Sequence, residues 1–382
     1  MIRKSGKRNM DFGLLITVLV LMIFGIVMVF SASYYDTIRA SGNPYYYLFR
    51  VSIWFAAGLV VMFLLSMIPY RFYYRLSPLI ALLSIVLLIL LFTPFGNERG
   101  GAVRWIEVGS LTFMPGEVAK LGAIFLVAWY YTKFSKYTRT FSKGIIPMVI
   151  IAGIYFVLIY LQPNLSTAII IGGIILGMMF IAGIRIPHFI ILIVLAIGSV
   201  TILIFTQGEF HLERIMSFLD PFADPQGTSY QVIQSLLALA TGGVYGVGPG
   251  NSIQKAQYLP EAQNDFIFAI IGEEYGFIGC LIVLAVFIIL IWKGATAAIG
   301  AADRFGMLLA AGITILIALQ VVMNIAVVTS MMPPTGVILP FISYGGNAML
   351  VFSAAVGILL NISKYKKEIP RKIPEQKEDM RR

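Results

Sequence analysis

The chain has one cysteine, Cys280, and only two histidines, His188 and His211, in 382 residues. A disulfide within the chain, a CxxC pair and a thiolate metal site are thereby excluded, and a histidine-based zinc site is short of ligands. No GxxxxGK[ST] stretch occurs, so nothing marks a nucleotide-driven pump. No inverted repeat of the transporter type is visible either. Charge is also scarce. Only 12% of residues are charged and 59% are hydrophobic, with mean hydropathy +0.89. A soluble globular protein carries about 25% charged residues, so this deficit defines an integral membrane protein.

The apolar residues fall in continuous runs of about 20, the length of a membrane-spanning helix. A barrel would instead alternate apolar and polar residues over about 10. Ten spans are expected, at 12–32, 47–67, 77–93, 116–133, 144–161, 165–183, 187–206, 266–292, 305–330 and 339–362. The fold class is thus all-α and polytopic. Lys and Arg placement sets the orientation. With both termini cytoplasmic, only Arg39, Arg50, Arg99, Arg104, Lys120, Arg214 and Lys255 of the 28 basic residues lie on the outer side. Topology and anionic lipid at the inner surface then account for the net charge of +10, and nucleic acid is not needed to explain it. The apolar run from Phe12 to Phe30 is longer than the 7–15 residues or so of a signal peptide core, so it reads as an uncleaved first span.

One membrane domain, 11–363, is expected between a basic cytoplasmic N-terminus, 1–10, and a disordered Lys/Glu/Pro-rich tail, 364–382. Two outer segments break the helical rhythm. Pro94 to Pro115 reads as a turn-rich loop. The stretch 207–265, between spans seven and eight, is long enough to be functional. Within it, Tyr230 to Ala240 is apolar enough to lie on or dip into the membrane surface.

The segment LPEAQNDFIFAIIGEEYGFIG, 259–279, holds Glu261, Asp265, Glu273 and Glu274. Burying a charge in hydrocarbon costs on the order of 3 kcal/mol or more, so such acids have either a site or an ion pair to serve. Asp265 precedes an apolar run. It can cap a helix there, or act as a general base at the membrane boundary. On a straight helix Glu273 and Glu274 lie about 12–14 Å deeper and turned away, which suits structural pairing within the bundle. Glu117 and Lys120 share one helix face at i, i+3. A neutralised pair is a cheap way to hold charge in a membrane, and such a pair opening onto a cavity can also organise a substrate. Gln162-Pro163-Asn164 forms a tight outer turn. Pro340 and Ser343-Tyr344-Gly345-Gly346 suggest a broken helix lining a cavity, and Asn324 within a span suggests interhelical hydrogen bonding.

Six stretches in order, VRWIEVGSLTFMPGEVAKL (103–121), QPNLSTA (162–168), RIMSFLDPFADP (214–225), YQVIQSLLALATGGVYGVG (230–248), NSIQKAQYLPEAQNDFIFAIIGEEYGFIG (251–279) and PTGVILPFISYGG (334–346), resemble the SEDS family (shape, elongation, division and sporulation) of bacterial peptidoglycan glycosyltransferases. The likeness runs from Asp11 to Tyr365 and leans toward the division and sporulation branch. It implies ten spans and polymerisation of lipid II, an undecaprenyl-pyrophosphate-linked disaccharide-pentapeptide, on the outer face of the cytoplasmic membrane. It makes Asp265 the catalytic residue, deprotonating the acceptor hydroxyl. Arg104, Arg214 and Lys255 become candidates to stabilise the pyrophosphate, with Glu117, Lys120, Gln162 and Ser343 as further substrate-binding candidates. A divalent cation, magnesium or manganese, is compatible with that chemistry, though no ligand set is evident. A class B penicillin-binding protein is the implied partner. The chain departs from the family pattern at Asn164 (commonly Asp), Ser166 (Gly), Gly116 (Ser), Asn264 (Thr) and Asn347-Ala348 (serines). Two other functions fit a protein of this build: a flippase of the lipid-linked precursor, and a non-enzymatic scaffold for a transpeptidase, which would not need Asp265.

Overall fold

A computed structural model describes residues 6–7, 10–99, 102–108, 111–206, 216, 218–225, 227, 229–256 and 258–366. In chain order it contains β1 (Gly6–Lys7), α1 (Phe12–Ser41), α2 (Tyr46–Met67), α3 (Tyr70–Leu90), β2 (Gly96–Arg99), β3 (Ala102–Val108), β4 (Leu111–Phe113), α4 (Pro115–Lys133), α5 (Ile146–Tyr160), α6 (Leu165–Ala182), α7 (Ile186–Thr206), α8 (Tyr230–Gly242), α9 (Ile267–Ile299), α10 (Arg304–Val328), α11 (Gly346–Ser363) and β5 (Tyr365–Lys366). Each expected span coincides with a helix. Eight of these are long and apolar enough to cross a membrane by length and composition. The remaining two, α4 and α7, fall outside that set: α4 carries Glu117, Lys120 and Lys133, and α7 contributes a shorter apolar stretch, Ile186–Ser199.

The bundle is layered by burial. In α11 and α10, 78% and 72% of the apolar window is buried, against 17% in α2. α11 and α10 therefore form the centre together with α4, while α2, α3, α5 and α9 turn broad apolar faces outward toward lipid. α2 packs along α11, α3 along α4, α6 against α4 and α10, and α1 against α9.

Helix ends on one side are tied by polar side chains. Asp11 caps α1 and faces Lys293 at 3.3 Å. Asp303 caps α10 while accepting from Tyr70 Oη and Arg71 Nε. The short strands β1 and β5 pair antiparallel, joining the two ends of the chain on this side. The expected disordered tail lies almost wholly outside the described residues.

Three expectations change. The first outer segment is a three-stranded antiparallel sheet, β2-β3-β4. Its alternation is short and the Gly-rich joint at 100–101 masks it in the sequence. The last helix starts at Gly346 rather than 339, because Pro340 and the positive φ of Phe341 (66°) prevent helical propagation through 331–345. The third helix begins at Tyr70, seven residues ahead of its expected start, because Pro69 sets the entry and Pro78 is tolerated inside.

α9 is not continuous either. Gly276 adopts φ 67°, ψ −166° inside it, a conformation open chiefly to glycine. The break frees backbone groups that apolar surroundings cannot satisfy. The segment after α8 satisfies them: Val247 and Gly248 donate to the carbonyls of Glu273 and Glu274, and Phe277 and Ile278 donate to Gly243 and Val244. Thus α8, expected to lie on or dip into the membrane surface, is interlocked with α9. It is also tied to α10 by Ser235 Oγ, which donates to Val328 O at 2.8 Å.

Candidate active site

A cavity of about 590 Å³ opens among the ends of α2, α4, α6, α10 and α11, the sheet, and the chain on either side of Asp265. Its walls follow from the elements just described. Pro115 starts α4, which brings Glu117 into the first turn and Lys120 one turn on. The two are paired at 2.7 Å, and both are buried. Lys120 Nζ also donates to Gln320 Oε1 of α10 at 3.0 Å. One oxygen of Glu117 is thus engaged by Lys120 while the other, Oε2, is buried without a hydrogen-bond partner among the described residues, on a residue that lines the cavity.

Strand β3 supplies Arg104 and Trp105. Arg104 donates to Pro163 O in the turn before α6. In that turn Asn164 accepts from Thr167 N at 3.3 Å, so it caps α6, and it also lines the cavity. An amide performs this cap as well as an acid does. Ser166 donates to Thr335 O at 2.7 Å, binding α6 to the non-helical 331–345 segment. That segment contributes Gly336, Val337, Ile338, Tyr344 and Gly345 to the wall. Where a broken helix lining a cavity is expected, the cavity is lined instead by this non-helical stretch between α10 and α11. On the opposite side stand Tyr47, Arg50 and Trp54 of α2, with Arg50 5.0 Å from the Tyr46 ring and Tyr47 edge-on to Tyr344 at 4.9 Å. Ile53 of α2, which is 53% exposed, lines the same cavity. The cavity thus has an apolar, exposed edge as well as polar walls.

Asp265 lies in this wall, one residue before Phe266, the N-cap position of α9. A Cβ placed on Gly336 would stand 3.4 Å from Asp265 Oδ2, so the carboxylate lies close against the extended segment. Its main-chain carbonyl accepts from Asn324 Nδ2 at 2.7 Å. Neighbouring Asn264, also a lining residue, donates to Glu261.

Of the candidates, the cavity unites Asp265, Arg104, Glu117 and Lys120. Arg214 lies outside the described residues. The structure places the remaining three elsewhere. Lys255 is buried in an ion pair with Glu274 at 2.6 Å. Gln162 is buried and donates to Leu88 O at 3.1 Å. Ser343 is buried and accepts from Leu339 N at 2.8 Å. Each is absorbed by a local backbone or charge requirement that spacing along the chain does not reveal. Sequence reasoning missed Arg50, Gln320 and Trp54 as wall residues. The available signal was a cation in the first turn of an apolar helix for Arg50, and two amides four residues apart inside a span for Gln320 and Asn324.

A polar chamber of this kind, set in a bundle of apolar helices and walled by an aspartate, a paired acid and base, and arginines, defines a multi-pass membrane protein with a polar site inside its bundle. The family model described as cell cycle protein, FtsW/RodA/SpoVE, matches residues 12–368, and the chain belongs to that family. It is 38% identical to stage V sporulation protein E of Bacillus subtilis (strain 168), over 94% of this chain and 99% of the relative. It is 35% identical to a probable peptidoglycan glycosyltransferase FtsW of Geobacter sp. (strain M18), over 92% and 96%. Among solved structures it resembles a chain from work on the structural coordination of polymerization and crosslinking by a peptidoglycan synthase complex, with TM-score 0.77, 26% identity and coverage of 93% and 98%. The rod shape determining protein RodA of Thermus thermophilus shares the fold at TM-score 0.67 and 24% identity, over 94% and 98%.

Proposed function

We propose that this protein is a peptidoglycan glycosyltransferase that polymerises lipid II into glycan strands on the outer face of the cytoplasmic membrane, in division, sporulation or cell-shape growth. The observation that carries the reading is the position of Asp265 in a cavity that has an apolar, exposed edge and is shared with Glu117, Lys120, Arg104 and Arg50. Family membership supports the reaction class. The polyprenyl tail stays in lipid along the Ile53 side, and the sugar and pyrophosphate enter the chamber. Asp265 takes the proton of the acceptor sugar hydroxyl as its oxygen bonds to the donor anomeric carbon. The bond from that carbon to the pyrophosphate breaks, and undecaprenyl pyrophosphate leaves. Arg104, Arg50 and Lys120 provide preorganised positive charge for the departing group.

No group of three or more His, Cys, Asp or Glu residues converges among the described residues. The acids in the cavity wall are Asp265 and Glu117, and Lys120 engages the latter. Among the described residues the wall offers no all-protein cage for a divalent cation; a cation would be held there by Asp265 together with the substrate pyrophosphate, and would supply charge neutralisation at the leaving group. A class B penicillin-binding protein is the proposed partner, supplying the cross-links that this chemistry does not make.

The test is polymerisation of lipid II by the purified full-length chain together with such a partner, with Asp265→Asn beside wild type. Glycan chains from wild type and none from Asp265→Asn are expected. Absence of chains from wild type overturns the enzyme reading in favour of the flippase or scaffold. Wild-type rates from Asp265→Asn overturn the base assignment.

A further inference from the structure

Two amides sit one turn apart on the buried face of α10. Gln320 is 1% exposed and Asn324 0%. Four residues of helix separate them by about 6 Å of rise on nearly the same face. Each has one hand on the non-helical segment. Asn324 Nδ2 donates to Val337 O at 2.7 Å, and Gln320 Nε2 to Ile338 O at 3.4 Å. With its other contact each holds a different functional group. Asn324 Nδ2 donates to the main-chain carbonyl of Asp265 at 2.7 Å, and Gln320 Oε1 accepts from Lys120 Nζ at 3.0 Å.

Stability alone is a poor explanation for this arrangement. Asn324 Oδ1 is buried without a hydrogen-bond partner among the described residues. Leaving a buried acceptor unsatisfied is destabilising. A residue kept at that cost is explained by its donors, both of which go to backbone that frames the cavity. Asp265 itself precedes the first residue of α9 by two positions, so the regular hydrogen bonds of the helix do not hold its carbonyl.

We infer that Asn324 and Gln320 are positioning residues that set the separation between Asp265 and the Lys120–Glu117 pair by fastening both to one rigid turn of α10. They touch no reacting atom. A base must stand within hydrogen-bond reach of the acceptor hydroxyl while the cations stand at the leaving group. An error of about 1 Å in such a geometry can cost on the order of 100-fold in rate. The inference rests on the glycosyltransferase reading proposed above.

The experiment is steady-state polymerisation by the full-length chain with its transpeptidase partner and lipid II, for wild type, Asn324→Ala and Gln320→Ala, with thermal unfolding of each in detergent. An inactive wild type would mean that the glycosyltransferase reading has failed, and the inference falls with it. With wild type active, each variant is expected to lose about 10-fold or more in kcat, with KM within about 2-fold, and to keep that loss when assayed well below its own Tm, which the orphaned carbonyls lower. If Asn324→Ala does not fold, Gln320→Ala carries the test with the same required signature. Wild-type kcat in a folded variant overturns the inference. So does a loss of kcat that disappears once the variant is assayed well below its Tm, or misfolding of both variants, since the amides then serve packing only.

Discussion

Lys255 Nζ lies 2.6 Å from Glu274 Oε1, and the two side chains are 2% and 1% exposed. Ser31 completes the group, accepting from Lys255 at 2.9 Å and donating to Glu274 at 2.6 Å. One residue earlier, Glu273 accepts from Ser252 Oγ, from Ile253 N at 2.9 Å and from Gln254 N. Two adjacent acids of α9 thus hold residues 252–255, part of the segment that leads to Asp265, against the bundle. Breaking a buried pair by removing one partner costs about 3–5 kcal/mol, whereas an apolar pair of similar volume is nearly neutral. Lys255→Ala is therefore expected to lower Tm strongly and Lys255→Met with Glu274→Leu to recover most of it. Equal stability of Lys255→Ala and wild type in detergent melts would contradict this.

Asp265→Asn keeps shape and removes the base. Polymerisation is expected to fall by a factor of about 10² to 10⁴, with Tm close to wild type, because the amide keeps the volume of the side chain and the Asn324 bond goes to the Asp265 main chain. Gel analysis of glycan products and a melt on the same preparation check both halves.

The Glu117–Lys120 pair is buried like Lys255–Glu274 but lines the cavity. Lys120→Ala leaves an unpaired carboxylate and is expected to cost about 3–5 kcal/mol, together with activity. Glu117→Gln retains an acceptor for Lys120 and should cost less stability than Lys120→Ala. A Lys120→Ala protein with wild-type Tm and wild-type activity would leave the pair without a role.

Gly276→Ala tests the break in α9. Its φ of 67° disfavours any side chain, and an added Cβ would press on Gly246 N and lie 2.5 Å from Val244 O. Overpacking of this kind costs about 1–3 kcal/mol before backbone strain is added. The expected outcome is a lower Tm and looser packing of α8, read as faster amide exchange over 235–248. Gly172→Ala, where the added carbon meets nothing within 4 Å, is the matched control.

Much of the site was legible in the chain. Asp265 stood out as an acid at the edge of an apolar run, and Glu117 and Lys120 as an i, i+3 pair in a span, because charge in hydrocarbon is too costly to occur without a purpose. Glu273 and Glu274 were correctly separated from Asp265, since helical rise and rotation turn them away from it. Lys255 lies away from the cavity wall for the complementary reason. A loop lysine looks solvated until the fold brings Glu274 beneath it, 19 residues away. Gln162 and Ser343 bond to main chain instead of lining the cavity, because turn residues and motif serines serve the backbone as readily as a ligand.

The sequence by itself determined that this chain crosses the membrane many times, because long apolar runs and asymmetric basic residues are local properties that the bilayer reads directly. It also determined where acids must find partners. Only the tertiary structure decided which partners those are. The interlock of Gly276 with 243–248, the three strands before α4, and the grip of Asn324 and Gln320 on Asp265, Lys120 and residues 337–338 all join segments far apart in the chain. Such contacts arise because every backbone group freed from a helix inside an apolar bundle must find its hydrogen bond elsewhere, and its place is set by packing that no single segment encodes.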